Sequence, residues 1–229
     1  MITLKYDLVI DSMMNPVLRK RLINSIDYLR KMDFFQDYSN LSSGEILEEI
    51  LGGKIGYPLS WWDEEKGHLH GGSIIRGIQR EWRDWIKKSD FEIDHLLIQF
   101  DTKRVILEIA ETNIDDEMGT AILKRLARIS RGVFRPTNVS SRWLTPPDSD
   151  KWLIQEVGFD FKGRRHAIQI ALRYDYLEDI GLEQLNEIIK DSEYQYYQVK
   201  HELITVVVLT EEEAEKLKKE RGWKFEYII

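Results

Sequence analysis

The sequence predicts an α+β fold, a single domain over residues 1–229 with a mixed, mainly antiparallel sheet and helices packed on at least one face. Short polar turns join apolar runs at 91–110 and 152–174, which predicts two hairpins. Several other segments have apolar residues at helical spacing between N-cap and C-cap residues. With 229 residues, 42% of them hydrophobic, the chain can bury a core without disulfides or a structural metal.

The first sixty residues predict a strand at 2–10 and then two helices. Asn15 and Pro16 have the cap-then-proline order that opens a helix. Ser42 or Ser43 caps a shorter helix, which Gly52 and Gly53 end. Residues 52–60 are the best candidate for an internal boundary because they contain three glycines and Pro58. We still expect one domain, since residues 1–51 contain too little apolar material to fold alone.

The centre of the chain predicts a hairpin followed by a helix. Residues 91–100 and 105–110 are apolar on both faces, which is typical of strands covered on both sides. Residues 101–103 are polar and few, as a tight turn requires. The helix that follows is capped by Thr112 or Asn113, has acids at 115–117 and ends at Gly132.

The last third predicts alternating strands and helices. A strand at 139–145 precedes a hairpin of 152–161 and 166–174, whose tip is Lys162-Gly163-Arg164. Helix 182–190 and strand 203–209 follow. Thr210 and Glu213 have capping-box spacing for a further helix, with Gly222 as its stop and a last strand at 223–229.

The loop at 57–72 is the first candidate site. It is long, has no periodicity and precedes a helix predicted at 73–88. Adjacent tryptophans in such a loop cannot both turn inward easily, and an exposed tryptophan beside acids and histidines is typical of a binding hot spot. The alternative is that the loop packs onto the body of the protein. The predicted partner-binding residues are Trp61, Trp62, Asp63, His68 and His70.

His68 and His70 are also the candidate metal ligands. Two imidazoles that flank one residue on an extended segment can face one divalent ion, with Asp63, Glu64 or Glu65 completing its shell. The alternative is that both histidines are exposed or capping groups. The cofactor is therefore unknown, and a divalent metal is conceivable but not expected.

A run of basic residues is the third candidate site. No acid occurs between Met118 and Pro147. The predicted anion-binding residues are Lys124, Arg128, Arg131, Arg135 and Arg142. A helix that ends in bases complements its own dipole, which explains the cations within the helix but not Arg135 and Arg142 beyond it. A solvated helix face therefore stays the alternative to a phosphate-binding surface.

Composition narrows the functional class. A net charge of −7 argues against bulk attraction to nucleic acid or to anionic membranes. The chain has no cysteine, and neither a signal-peptide pattern nor a long apolar segment, so we expect a cytoplasmic protein that does not enter membranes. The phosphate-loop, nucleophile-elbow and HExxH motifs are absent, and no motif assigns the chain to a family.

The leading hypothesis is a non-enzymatic interaction protein, of the inhibitor, immunity or adaptor type, whose partner is a protein. It would bind through the 59–72 loop and charged surfaces. One alternative is a metal-dependent phosphodiesterase or nuclease that uses His68, His70 and nearby carboxylates. The other is a non-catalytic module that binds nucleic acid, or another phosphate-bearing ligand, through residues 124–142. The sequence predicts no oligomeric state.

Overall fold

The computed structural model describes residues 14–55, 78, 80–108, 115–145, 152–173, 176–200 and 204–226. The chain groups into two compact units. The first unit comprises Met1–Thr102 and Leu217–Trp223, and the second comprises Lys103–Lys216 and Lys224–Ile229. The division near residue 102 differs from the boundary predicted at 52–60. That the whole chain forms one domain stays a prediction.

The described part of the first unit is helical. Its elements are α1 (Pro16–Arg30), a 3₁₀ turn (Gln36–Tyr38), α2 (Ser43–Leu51), α3 (Trp82–Trp85) and α4 (Asp90–Ile98). The Asn15 side chain accepts the amide of Val17 at 2.9 Å, and Ser42 forms a capping box with Glu45, so both predicted starts are confirmed. Helix α1 buries the apolar residues Leu18, Leu22, Ile26 and Leu29, whereas Val17 is exposed.

Helix α4 corrects the prediction of a strand at 91–100. Ser89 and Glu92 form a capping box, in which the Glu92 carboxylate accepts the Ser89 amide at 2.8 Å. The helix is buried on all sides from Ile93 to Ile98, so its apolar run shows no helical period and is indistinguishable from a buried strand. The predicted 91–110 hairpin is therefore wrong.

The second unit contains two sheets, and every strand pair in its described residues is antiparallel. One sheet has the order β1 (Val105–Glu108), β7 (Ile204–Thr210), β6 (Tyr194–Val199). The other has the order β2 (Thr137–Trp143), β3 (Trp152–Phe161), β4 (Arg164–Arg173), β5 (Tyr176–Asp179). The helices α5 (Met118–Ile129), α6 (Leu182–Ile188) and the start of α7 (Glu211–Arg221) complete the unit. The predicted α+β class is confirmed.

One core joins helix α5 to the inner face of the four-stranded sheet. Buried side chains alternate along β3, and they pack with the apolar stripe of α5. The core includes Ile122, Leu126, Ile129, Leu153, Val157 and Phe159. The predicted β3–β4 hairpin is confirmed, and Gly132 has the predicted left-handed conformation, with φ of 84°. Helix α5 begins at Met118, so the acids at 115–117 precede it rather than fill its first turn.

Helix α7 has the predicted capping box. The Thr210 amide donates to Glu213 at 2.9 Å, and the Glu213 amide donates to the Thr210 hydroxyl at 3.1 Å. Gly222, with φ of 73°, follows the helix as predicted. Of the strand predicted at 223–229, the described residues show only a single bridge between Val199 and Phe225. The strand predicted at 2–10 lies outside the described residues.

Candidate interaction surface

The predicted loop site lies outside the described residues. This applies to Trp61, Trp62, Asp63, His68 and His70, so their role in partner or metal binding stays a prediction. Among the residues that are described, no group of three or more histidine or acidic side chains is arranged to hold a metal ion.

The five predicted anion-binding residues do not share one environment. Lys124 and Arg128 are exposed on α5, and Arg135 is exposed beyond its end. Arg142 lies on β2, where its guanidinium contacts Glu156 at 2.7 Å. Arg131 donates to both carboxylate oxygens of Glu213, at 2.9 and 2.7 Å, and its own side chain is largely buried. Arg131 and Arg142 are thus matched by carboxylates of the second unit, and the anion-binding surface stays a prediction.

The β3–β4 hairpin brings further cations to one end of the sheet. Its tip residues Lys162 and Arg164 are exposed, and the Lys162 ammonium lies 5.3 Å from the ring centre of Phe161. That ring packs against Phe134, the buried neighbour of Arg135, with 5.2 Å between ring centres. Arg135 therefore belongs to the same end of the sheet as the hairpin tip. The sequence separates these positions by more than twenty residues and does not indicate this grouping.

Beside the tip, ion pairs cross the outer face of the sheet. Arg165 donates to Asp160 at 3.2 Å and to the Ser140 hydroxyl at 2.8 Å. The Asn138 side chain and Arg165 donate to the Asp160 carboxylate, and these bonds lower its pKa. A Cβ atom on Gly158 would lie 2.7 Å from the Arg165 guanidinium, so the glycine leaves room for that side chain.

The opposite end of the outer face is apolar. Trp152 retains 47% of its surface exposed, and the Arg173 guanidinium lies 5.9 Å from its ring centre. Leu144, which is 43% exposed, pairs with β3 through its amide, which donates to Ile154 at 2.8 Å. Trp152 and Ile154 occupy the outward positions of β3, because Leu153 and Gln155 between and beside them are buried. We call Trp152, Arg173, Leu144 and Ile154 the apolar end.

The sequence predicts Trp152 as the start of a strand but does not indicate that it is a surface residue. The alternation of β3 was the available signal, since it separates Trp152 and Ile154 from the buried set. Both faces of this strand begin with large apolar residues, so the pattern alone does not indicate which face is outward.

A buried glutamine fixes the inner side of the same strands. Gln155 is fully buried, and its carbonyl oxygen accepts the amide of Gly119 at 2.6 Å. Its amide nitrogen donates to the backbone of Asp115 and Asp116, at 3.3 and 3.1 Å. The Trp143 indole also donates to Asp116, at 2.8 Å. These bonds hold the segment before α5 against β2 and β3, and they leave the outer face free of it.

The first unit has its own charged cluster, which is buried. Asp94 on α4 accepts hydrogen bonds from Arg221 at 2.8 and 2.6 Å and from the Trp223 indole at 3.2 Å. Burial raises the pKa of Asp94, and the Arg221 contact acts against that rise. Because the carboxylate already has several donors, the arrangement is that of a structural ion pair.

Comparison of the chain with protein-family models, with curated proteins and with solved structures finds no match. Within the described residues, no helix combines the length and apolarity needed to cross a membrane.

Proposed function

We propose that this chain is a non-enzymatic interaction protein that binds a protein partner, and that the apolar end is part of its binding surface. The observation that carries this proposal is the exposure of Trp152, with Arg173 beside its ring and Leu144 on the neighbouring strand. The 59–72 loop, which the sequence predicts as a binding site, would form a second part of this binding surface. It lies outside the described residues.

The composition of the apolar end supports a protein partner. Tryptophan and arginine are the residues most enriched at the energetic centres of protein interfaces, where a ring of weaker contacts excludes water. The Arg142–Glu156 ion pair lies on the same outer face, two residues along each strand from Leu144 and Ile154. An apolar centre with a polar rim is the arrangement typical of protein–protein interfaces.

The experiment is affinity capture from the source organism with three forms of the chain. A partner captured by the wild type is then purified and titrated. Trp152→Ala is expected to weaken its binding by at least about 30-fold, as loss of a central aromatic anchor does. Arg135→Ala is the matched control, because Arg135 is also exposed but lies at the other end of the sheet. Equal binding by wild type and Trp152→Ala would overturn the proposal.

A nucleic-acid-binding module is the second candidate, and one observation favours it. Arg135, Lys162 and Arg164 are exposed at one end of the sheet, around the packed rings of Phe134 and Phe161. Cations of this kind bind phosphates with an affinity that falls as salt rises.

This candidate is tested by titrating single-stranded and double-stranded nucleic acid at several salt concentrations. Binding that weakens with salt and is lost in Lys162→Glu/Arg164→Glu supports it. Lys224→Glu, an exposed cation outside this group, is the matched control. Binding that is equally reduced by the control variant, or insensitive to salt, would count against this candidate.

A further inference from the structure

The turn between β3 and β4 determines which neighbour each residue of β3 bonds. Lys162 and Gly163 form a two-residue loop in which both φ angles are positive, 48° and 74°, as in a type I′ turn. Phe161 and Arg164, which flank such a loop, exchange backbone hydrogen bonds. Because the bonding direction alternates along a strand, Gly158 and Glu156 direct their amides and carbonyls toward β2.

The same alternation fixes the backbone of β2. Ser140 pairs with Gly158 and Arg142 pairs with Glu156, so these two residues bond toward β3. The bond from the Leu144 amide to Ile154, at 2.8 Å, continues the series. Ser141 and Trp143 therefore direct their amides and carbonyls away from the sheet.

These outward groups form an open strand edge. Strand β2 is at the end of the strand order, with β3 as its sheet neighbour. Within the part of the chain that the structure describes, the outward backbone groups of Ser141 and Trp143 have no backbone partner. Unpaired edge groups of this kind are a template for another strand.

The edge strand β6 of the other sheet in this unit has hydrogen-bond partners along its outer side, in contrast to the described part of β2. On β6, the Asn186 side chain accepts the amide of Tyr196 at 2.8 Å and donates to its carbonyl at 2.9 Å. Further along, the Gln198 carbonyl accepts the Glu226 amide at 2.9 Å, and the Lys200 amide donates to Lys224 at 2.8 Å. Side chain and chain segment thus satisfy that edge, whereas β2 has no such cover among the described residues.

We propose that β2 pairs antiparallel with β2 of a second copy of this chain, about a twofold axis at Ser141. In this register Ser141 faces Ser141 of the second copy, and Val139 faces Trp143. Val139 and Trp143 both pack at the margin of the core, so their pairing extends an apolar layer across the axis. On the outer face Arg142 meets Ser140 of the second copy, and no like charges oppose each other.

The neighbouring registers are less favourable. An axis at Arg142 would place two guanidinium groups directly opposite each other, which destabilises a strand pair. An axis shifted toward Asn138 would run into a bulge, where Asn138 has φ of 49° and the register with β3 shifts. The self-complementary register at Ser141 is why a second copy, rather than an unrelated extended segment, is the occupant.

Sedimentation of the full chain over a concentration series tests the pairing with two substitutions of one residue. Ser141→Pro removes the outward amide while leaving the bonds of β2 to β3, and edge positions of this kind tolerate proline. Ser141→Ala keeps the amide and removes only the hydroxyl, which donates to Asp116 at 2.6 Å. We expect a dimer for wild type and Ser141→Ala and a monomer for Ser141→Pro. A wild type that is monomeric throughout, or a dimer that persists in Ser141→Pro, would overturn the proposal.

Crosslinking decides the question independently if the proline variant fails to fold. Because the chain has no cysteine, any disulfide that forms must join the introduced cysteines of two copies. Directly paired residues have Cα atoms about 5.5 Å apart in this register, within the span of a disulfide. We expect Ser141→Cys to form a covalent dimer under mild oxidation much faster than Ala167→Cys, which is exposed on β4 away from the edge. Equal rates for the two variants would refute the pairing.

Discussion

Each unit contains an arginine at a helix end that forms an ion pair with a carboxylate, and the two ion pairs differ in their surroundings. Arg221 is the last residue of α7 and contacts Asp94 at 2.6 Å, and Arg131 follows α5 and contacts Glu213 at 2.7 Å. Each guanidinium also lies over a tyrosine ring, Arg221 at 4.9 Å from Tyr28 and Arg131 at 4.3 Å from Tyr194. The two pairs therefore share a helix end, a carboxylate and an aromatic face.

They differ in the surroundings of the carboxylate. The Asp94 side chain is 0% exposed and the Glu213 side chain is 18% exposed, whereas the two arginines are similar at 13% and 10%. Glu213 also caps its own helix through the Thr210 amide, so it keeps a role without Arg131. Without Arg221, Asp94 would be a buried charge that retains hydrogen bonds from the Trp223 indole and the Ser25 hydroxyl. The environment of the acid, rather than the contact distance, sets the cost of losing the base.

The largest effect is expected for Arg221→Ala. It leaves the Asp94 charge buried and uncompensated, which costs about 3–5 kcal/mol of unfolding free energy. Urea unfolding followed by tryptophan fluorescence measures this loss. The control is the double variant Arg221→Met/Asp94→Leu, in which no charge is stranded and most of the stability returns. A loss no larger than that of Arg131→Ala would contradict the comparison.

A smaller effect is expected at Arg131. Arg131→Ala removes hydrogen bonds to a charged partner and should cost roughly 1.5–3 kcal/mol. Arg131 also has φ of 56°, a left-handed conformation that costs a residue other than glycine about 1 kcal/mol. Arg131→Gly should therefore be less destabilising than Arg131→Ala, as measured by the same unfolding assay. An equal or larger loss for the glycine variant would show that the backbone at this helix end carries no strain.

Neither pair was accessible from the sequence, although the helix that carries Arg221 and Glu213 was predicted; Asp94 lies on α4, which the sequence predicted as a strand. Asn15-Pro16, Ser42-Glu45 and Thr210-Glu213 are local signals, and each predicted a helix start that the structure confirms. Asp94 and Arg221 are 127 positions apart, and pairing at that distance depends on how the helices pack. The predicted grouping of Arg131 with Lys124 and Arg128 did not anticipate Glu213 as its partner.

The prediction from the sequence was wrong where burial on all sides removes the hydrophobic periodicity of a helix. Helix α4 is buried on every side from Ile93 to Ile98, so its local pattern resembles a buried strand, and only the capping box of Ser89 and Glu92 distinguished the two. In the candidate surface, the β3–β4 hairpin was predicted because its turn and alternation are local. The exposure of Trp152 was not, because the choice of outward face depends on where α5 packs.

The tyrosines beneath the two arginines extend the comparison to single hydroxyl groups. The Tyr28 hydroxyl donates to Glu220 at 2.8 Å, and burial together with this acidic neighbour raises its pKa. Among the described residues the Tyr194 hydroxyl makes no hydrogen bond, although its ring lies under Arg131. Tyr28→Phe should cost about 0.5–1.5 kcal/mol and Tyr194→Phe close to nothing. Thermal unfolding of both variants measures the difference, and equal losses would show that the Tyr28–Glu220 hydrogen bond does not add to stability.

Among the ion pairs compared, the exposed pair Lys88–Glu92 is expected to contribute least to stability. The two side chains contact at 2.6 Å but are 44% and 36% exposed. A hydrogen bond from Lys88 and another from the Ser89 amide lower the pKa of Glu92 from 4.5 to about 2. The folded protein therefore holds the carboxylate charge more strongly than the unfolded chain does. The contribution of Glu92 is present above pH 4.5 and is lost as the pH falls toward 2.

Glu92→Gln isolates this contribution. The stability difference between wild type and variant should be below about 1 kcal/mol at neutral pH, because solvent screens an exposed pair, and should shrink as the pH falls from 5 to about 2. Urea unfolding at a series of pH values measures it, with Glu193→Gln as the control for losing a surface charge of the same kind. Added salt should reduce the neutral-pH difference at Glu92 but leave the Arg221 effect nearly unchanged, since buried pairs are screened far less. If salt weakened the Glu92 and Arg221 effects equally, burial of the carboxylate would not explain why the Arg221 effect is the larger one.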